Sequence, residues 1–297
     1  MGFESRNNRF YMKMMLPAIV FLAALVVYPI VYNFRLSLQD ATLRTIRLPE
    51  MPFVGLGNYA SVLSNPLFPV SMARTLVFTA GSIFFQFVIG FALALFLFRQ
   101  FPLNKFVRTT IIMGWVLAPI IVGTVWSWLL NTDHGLINYL LKTAGIIGQG
   151  IGWLTDPNIA MRGVIIANVW FGIPFNMLLL TGGLSALPTD VYEAADIDGT
   201  SPLQKFFFIT LPLMKPTIGA VLMLGTIYTL RVFDLLWVMT KGGPVNATTT
   251  LPLWSYQLSF DFFNLGEGAA ASNILFVIMI VFTLLYIKFF SEEGWDA

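Results

Sequence analysis

Six stretches of this chain are each apolar for about the 20 residues that a bilayer-crossing helix requires, at 14–34, 75–98, 109–130, 163–184, 217–240 and 269–290. That pattern confines the fold more than anything else in the sequence. A chain with six such runs has lipid as the solvent for most of its surface. Its backbone polar groups must then be satisfied inside helices. Composition agrees: 57% of the 297 residues are apolar and 11% charged, against about 25% charged in an ordinary soluble domain. The reading is an all-α membrane protein with six transmembrane helices, one domain over 1–297. The first run is too long for a signal-peptide core, and Tyr28-Pro29 stands where a small-residue cleavage site would be expected, so it reads as a retained span.

Several chemistries are excluded early. There is no cysteine, so thiolate chemistry and disulfides are absent. His134 is the one histidine, which argues against a metal site or a His-based catalytic triad. No G-x-x-x-x-G-K-[ST], H-E-x-x-H or G-x-S-x-G occurs. The chain therefore carries no nucleotide-binding loop, no catalytic residue and no metal ligand set by this reading. A net charge of +2 gives no reason to expect nucleic acid.

With six spans both termini lie on one side. Arg6, Arg9, Lys13, Arg99, Lys105, Arg108, Lys205, Lys215 and Lys288 fall on the terminal side. Arg35, Arg44, Arg47, Arg74, Lys142, Arg162 and Lys241 fall on the other. The balance leans toward cytoplasmic termini, and the short 99–108 connection, basic without an acid, leans the same way.

The loop 185–216 is polar, acidic and punctuated. Asp190 with Glu193 three residues on has the spacing of a capping box. Gly199 supplies a left-handed helix end. Ser201, Pro202 and Gln204 start a second helix, which Leu211-Pro212 should end. The expectation is two short helices hinged at Gly199. The first is small-sided at Ala194 and Ala195, open to close approach by another surface. The second should pack Phe206, Phe207 and Phe208 on the spans. A solvated connector would show much the same signals.

On the fourth span Asn168, Phe171, Gly172 and Phe175 share one face. Gly225, Tyr228, Thr229 and Val232 repeat the spacing on the fifth. An amide, aromatic rings and glycines suit a sugar: donors for hydroxyls, rings to stack on, room for approach. Helix packing uses the same residue types, so both readings stand. Arg231 and Asp234, three apart, are expected to form a structural ion pair that offsets the cost of charge within a span.

Glu193-Ala194-Ala195, three residues, Gly199, nine residues, then Ile209-Thr210-Leu211-Pro212 resembles the EAA motif of permease subunits of bacterial ABC importers. Thr200 departs from the alanine often found there. Arg231-Val232-Phe233-Asp234 with Thr240-Lys241-Gly242-Gly243-Pro244, and Phe53-Val54-Gly55-Leu56-Gly57-Asn58-Tyr59, are similar to the carbohydrate-uptake group of that family. The resemblance implies a multi-pass protein of the bacterial inner membrane with cytoplasmic termini. Its coupling hairpin would dock Glu193, Ala194, Ala195, Asp198 and Gly199 on a cytoplasmic ATPase subunit. Implied partners are a second homologous permease, two ATPase subunits that bind ATP and Mg, and an extracytoplasmic sugar-binding protein. The chain itself binds no cofactor. The cargo would be a sugar or oligosaccharide. Glycerol phosphate, an amino acid or phosphate is the alternative, and an intramembrane enzyme or passive channel are rivals of another class.

Overall fold

The computed structural model describes residues 11, 14–99 and 101–291. The basic lead-in at Arg6, Arg9 and Lys13 lies outside the described residues. Among the described residues the chain is helical without a strand; two isolated bridges join Gln39 to Phe53 and Thr42 to Asn264. Four helices are long and apolar enough to cross a membrane: α1 (Met14–Ser37), α3 (Leu67–Phe98), α7 (Ala160–Ser185) and α13 (Leu265–Ser291), of which Leu265–Lys288 is the apolar part. Two bent pairs bring the number to six. They are α4 (Asn104–Val116) with α5 (Pro119–Leu129), and α9 (Pro202–Leu213) with α10 (Lys215–Leu230). Between these lie α2 (Gly57–Ser64), α6 (Leu136–Thr143), α8 (Thr189–Ile197), α11 (Asp234–Thr240) and α12 (Leu251–Tyr256).

The third expected span, 109–130, is therefore not straight. Its halves meet at 102°. The cause is local: Pro119 leads α5, and the residue before it, Ala118, is forced to an extended ψ of 139°. Proline acts differently in α1 and α9. A π-helical turn at Ala23–Val27 precedes Pro29, and another at Phe206–Thr210 precedes Pro212. The widened turn relieves the clash between the proline ring and the preceding carbonyls, so each helix runs on. Leu211-Pro212 thus does not end the second hairpin helix as expected. The chain bends by 66° only after Leu213.

The structure divides into two compact units. One comprises the described residues of Met1–Asn65 with Ser255–Leu275. Its polar centre ties α1, α2 and α13 together. Asn33 Nδ2 donates to Asn273 Oδ1 at 2.7 Å, and Asn273 Nδ2 donates to Ser37 Oγ at 3.1 Å and Tyr59 Oη at 3.0 Å. Interhelical amide and hydroxyl bonds of this kind serve where lipid removes any hydrophobic drive between helices.

The other unit holds Pro66–Trp254 and the described part of Phe276–Ala297. Helices α3 and α7 form its centre. Phe78 packs with Val164 and Ala167 in one buried cluster, together with Leu235 and Leu236 of α11. A second cluster joins Phe91 and Ala94 to Leu180, Leu184, Met214 and Val221. Gly90 sets the closeness of α3 and α7, because a Cβ there would stand 2.6 Å from Asn176 Cβ and 3.2 Å from the Met177 backbone nitrogen. Gly90→Val is therefore expected to cost about 1–3 kcal/mol through overpacking, read as a lowered thermal midpoint in detergent.

Candidate functional site

A cavity of about 510 Å³ opens between α3, α4, α7, α10 and the starts of α5 and α11. All eight residues expected on a translocation path line it: Asn168, Phe171, Gly172 and Phe175 from α7, and Gly225, Tyr228, Thr229 and Val232 from α10 and its end. Helical period explains why each set shares a face. Only the tertiary packing turns the two faces toward one space.

The fifth expected span, 217–240, is broken. α10 stops at Leu230, Arg231 to Phe233 are non-helical, and α11 begins at Asp234. Irregular backbone at membrane depth is tolerated where it lines a cavity instead of facing lipid. Arg231, Val232, Phe233 and Asp234 all line this one. The break also undoes the expected ion pair. Without a continuous helix, the three-residue spacing no longer stacks the two charges. No ion pair within 4.0 Å joins Arg231 to Asp234; Lys205, on the hairpin, pairs with Asp196. The Arg231 guanidinium lies instead 4.8 Å from the Tyr228 ring centroid. A cation over a ring is worth about 0.5–2 kcal/mol, more as water is excluded.

That contact ends an aromatic series. Trp115 and Phe175 lie 5.7 Å apart, centroid to centroid, and Phe175 meets Tyr228 edge-on at 5.6 Å. The wall of the cavity thus runs Trp115, Phe175, Tyr228, Arg231. Opposite in character is Asn168, 2% exposed, whose Nδ2 has no hydrogen-bond partner. A buried donor left unmade costs about 1–3 kcal/mol. Gln86 of α3 braces this side: its Nε2 donates to the Asn168 carbonyl at 2.8 Å. Gly172 makes room for it, since a Cβ there would lie 2.3 Å from the Gln86 carboxamide.

Gln86, Trp115 and Pro119 line the cavity without having been singled out from sequence, and Phe233, noted only within a family motif, joins them. Gln86 carries a usable signal, being the lone carboxamide within the apolar run 75–98. Trp115 carries none, because its place depends on the bend at Ala118-Pro119.

The second candidate element is the hairpin α8–α9. Its hinge forms as expected: Gly199 has φ +71°, the left-handed region that suits glycine. Ser201 and Gln204 form a full capping box, with Ser201 N donating to Gln204 Oε1 at 2.8 Å and Gln204 N to Ser201 Oγ at 3.4 Å. Thr200, the departure from alanine, ties off α8: its backbone N and its Oγ1 both donate to the Ala195 carbonyl, at 3.1 and 2.6 Å.

Three expectations fail here. Pro188, not Asp190, is the N-cap of α8, and no side chain caps it; Asp190 sits in the first turn, where the helix dipole favours its charge. Ala195 is 6% exposed and faces its own chain, leaving Ala194 as the open small residue. Of the three phenylalanines only Phe206 packs inward, on Phe91 at 5.8 Å, while Phe207 and Phe208 are exposed. Helical spacing sends 206 to one side and 207 and 208 to another. Glu193, Asp198 and Gly199 are exposed as expected, and beside them Ile197 stands 88% exposed.

A family model described as "Binding-protein-dependent transport system inner membrane component" matches residues 86–291. The chain belongs to that family of permeases. The permease is 38% identical over 279 residues to the "Trehalose/maltose transport system permease protein MalF" of Thermococcus litoralis, covering 93% of this chain and 91% of the relative. It is 32% identical over 272 residues to the "Sulfoquinovosyl glycerol transport system permease protein SmoG" of Agrobacterium fabrum, covering 92% and 87%. In fold the permease matches a chain from the crystal structure of a bacterial ABC transporter for the acidic polysaccharide alginate, with a TM-score of 0.83 at 20% identity over 98% of each chain.

Proposed function

We propose that this permease forms the translocation path for a carbohydrate handed over by an extracytoplasmic binding protein, in an importer driven by ATP hydrolysis on other subunits. The cavity carries the reading: a run of rings ending in a cation faces a buried amide that lacks a partner. A sugar ring offers C–H faces to stack and hydroxyls to accept from Asn168. Arg231 and Asp234 both line the space, so the cavity has no excess of positive charge to favour phosphate or glycerol phosphate. The trehalose/maltose and sulfoquinovosyl glycerol relatives support a saccharide class.

In this proposal the single transmembrane domain pairs with a second, homologous permease. Two ATPase subunits that bind ATP and Mg sit on the cytoplasmic side, where both termini lie. The hairpin α8–α9 docks on one of them through Glu193, Ala194, Ile197, Asp198 and Gly199. Closure of the ATPase pair on ATP then moves the hairpin and, through Met214 and the second core cluster, the ends of α3 and α7. The cavity passes from one side of the membrane to the other by that motion.

The test is uptake into proteoliposomes holding the assembled importer, with ATP inside and binding protein outside. Labelled di- and oligosaccharides are expected to accumulate, with no competition from amino acids or phosphate. Flux that persists without ATP or without the binding protein overturns the reading. Gly172→Leu adds a check on the path itself. The new side chain must displace Gln86 and fill the cavity, and uptake is expected to fall about tenfold or more for an overpacking cost near 1.4 kcal/mol.

A further inference from the structure

A second cavity, of about 600 Å³, lies between the hairpin and the ends of α3 and α7. Its walls are apolar: Leu95 and Phe98 from α3, Leu184 from the end of α7 with Leu187 just past it, and Phe206 from α9. Two cations, Arg99 and Lys205, complete it; none of its lining residues is a carboxylate, but the Lys205 ammonium is paired with Asp196 just outside the lining, so Arg99 carries the unneutralised charge.

We propose that this cleft binds one anionic phospholipid, with an acyl chain against the apolar wall and the phosphodiester on Arg99 and Lys205. Three observations favour that occupant. α3 has 32 residues and so runs about 48 Å, well beyond a hydrocarbon core of about 30 Å. Its apolar run ends at Phe98 with Arg99 directly after it, which puts Arg99 at the edge of the hydrocarbon core, near the depth of lipid phosphates. Basic pockets between helices at that depth hold anionic headgroups, whereas a free phosphate would gain nothing from walls of leucine and phenylalanine. The Lys205 side chain, 17% exposed, is held in place by Asp196, whose carboxylate is 72% exposed and faces solvent. Lys205 thus lines the cleft as a mostly buried side chain in a fixed position. On the inner side, the Tyr192 hydroxyl is satisfied by Thr210 at 2.8 Å and makes no demand on a ligand.

Binding requires only that this segment sit in a membrane. Its consequence rests on the proposed coupling role: a lipid wedged there braces the hairpin against the span ends, so turnover depends on anionic lipid.

The experiment is native mass spectrometry of the assembled importer released from bilayers of equal phosphatidylglycerol and phosphatidylcholine with matched chains. One phosphatidylglycerol is expected to be retained, at least about tenfold over phosphatidylcholine. Arg99→Gln is expected to cut retention at least about fivefold. Leu187→Trp fills the cleft without touching a charge and is expected to do the same. Soluble glycerol phosphate, which has the headgroup chemistry without chains, is expected not to displace the lipid. Equal retention of the two lipids, unchanged retention in both variants, or displacement by glycerol phosphate overturns the proposal. So does a wild-type complex that retains no lipid, the result if a partner subunit fills the cleft. Retention is read apart from uptake, so an importer that holds the lipid yet fails to couple counts against the coupling reading alone.

Discussion

An Ile197→Asp permease is expected to stay folded in the membrane while ATP-driven uptake falls about 30-fold or more. Ile197 is 88% exposed at the last turn of α8, between the exposed Asp196 and Asp198. A substitution at so open a position changes the stability of its own chain by about 0.5 kcal/mol or less. An apolar side chain held out in water gains its value only when a partner covers it. A desolvated anchor of that kind is worth about 2 kcal/mol or more, and a buried aspartate adds its own desolvation cost. At 1.4 kcal/mol per factor of ten, the loss is about 30-fold. The measurement is co-purification of the ATPase subunit together with ATP-driven uptake. Ala195→Asp is the informative contrast. That side chain faces inward, so the substitution buries an unpaired charge within the hairpin and is expected to lower the thermal midpoint of the permease itself. If Ile197→Asp leaves assembly and uptake intact, the hairpin is not a docking element.

Tyr228→Ala is expected to weaken carbohydrate uptake by one to two orders of magnitude. The phenol ring holds two contacts at once, the edge-on pair with Phe175 at 5.6 Å and the Arg231 guanidinium at 4.8 Å. The first is worth about 0.5–1.5 kcal/mol and the second about 0.5–2 kcal/mol. Their loss leaves Arg231 unanchored and opens the wall where a sugar ring would stack. Tyr228→Phe keeps the ring and both contacts, and uptake is expected to stay within about threefold of wild type. The two variants are compared by initial uptake rate against carbohydrate concentration in proteoliposomes. Equal loss in both would assign the effect to the hydroxyl and remove the stacking argument.

Much of this was legible along the chain because the signals are local. Apolar run lengths located the spans, and a period of 3.6 put Asn168, Phe171, Gly172 and Phe175 on one face before any neighbour was known. Gly199 and the Ser201–Gln204 box were readable because caps act within a turn of helix. The same locality misled at Arg231 and Asp234. Spacing assumed a continuous helix, and the break at Leu230 is favoured by the cavity that its irregular backbone lines. Ala194 and Ala195 looked alike in sequence; only the packed hairpin distinguishes the buried one from the open one.

Residue order alone implies a membrane-spanning helical protein with a glycine-hinged hairpin between its fourth and fifth apolar runs. Solvent and backbone rules leave no other way to satisfy such long apolar stretches. Which residues share a cavity depends on packing in three dimensions. Gln86 meets Asn168 across 82 positions, Trp115 reaches Phe175 through a 102° bend, and Arg231 turns to a ring instead of a carboxylate. Those contacts depend on how helices approach in space, which no period along one helix encodes.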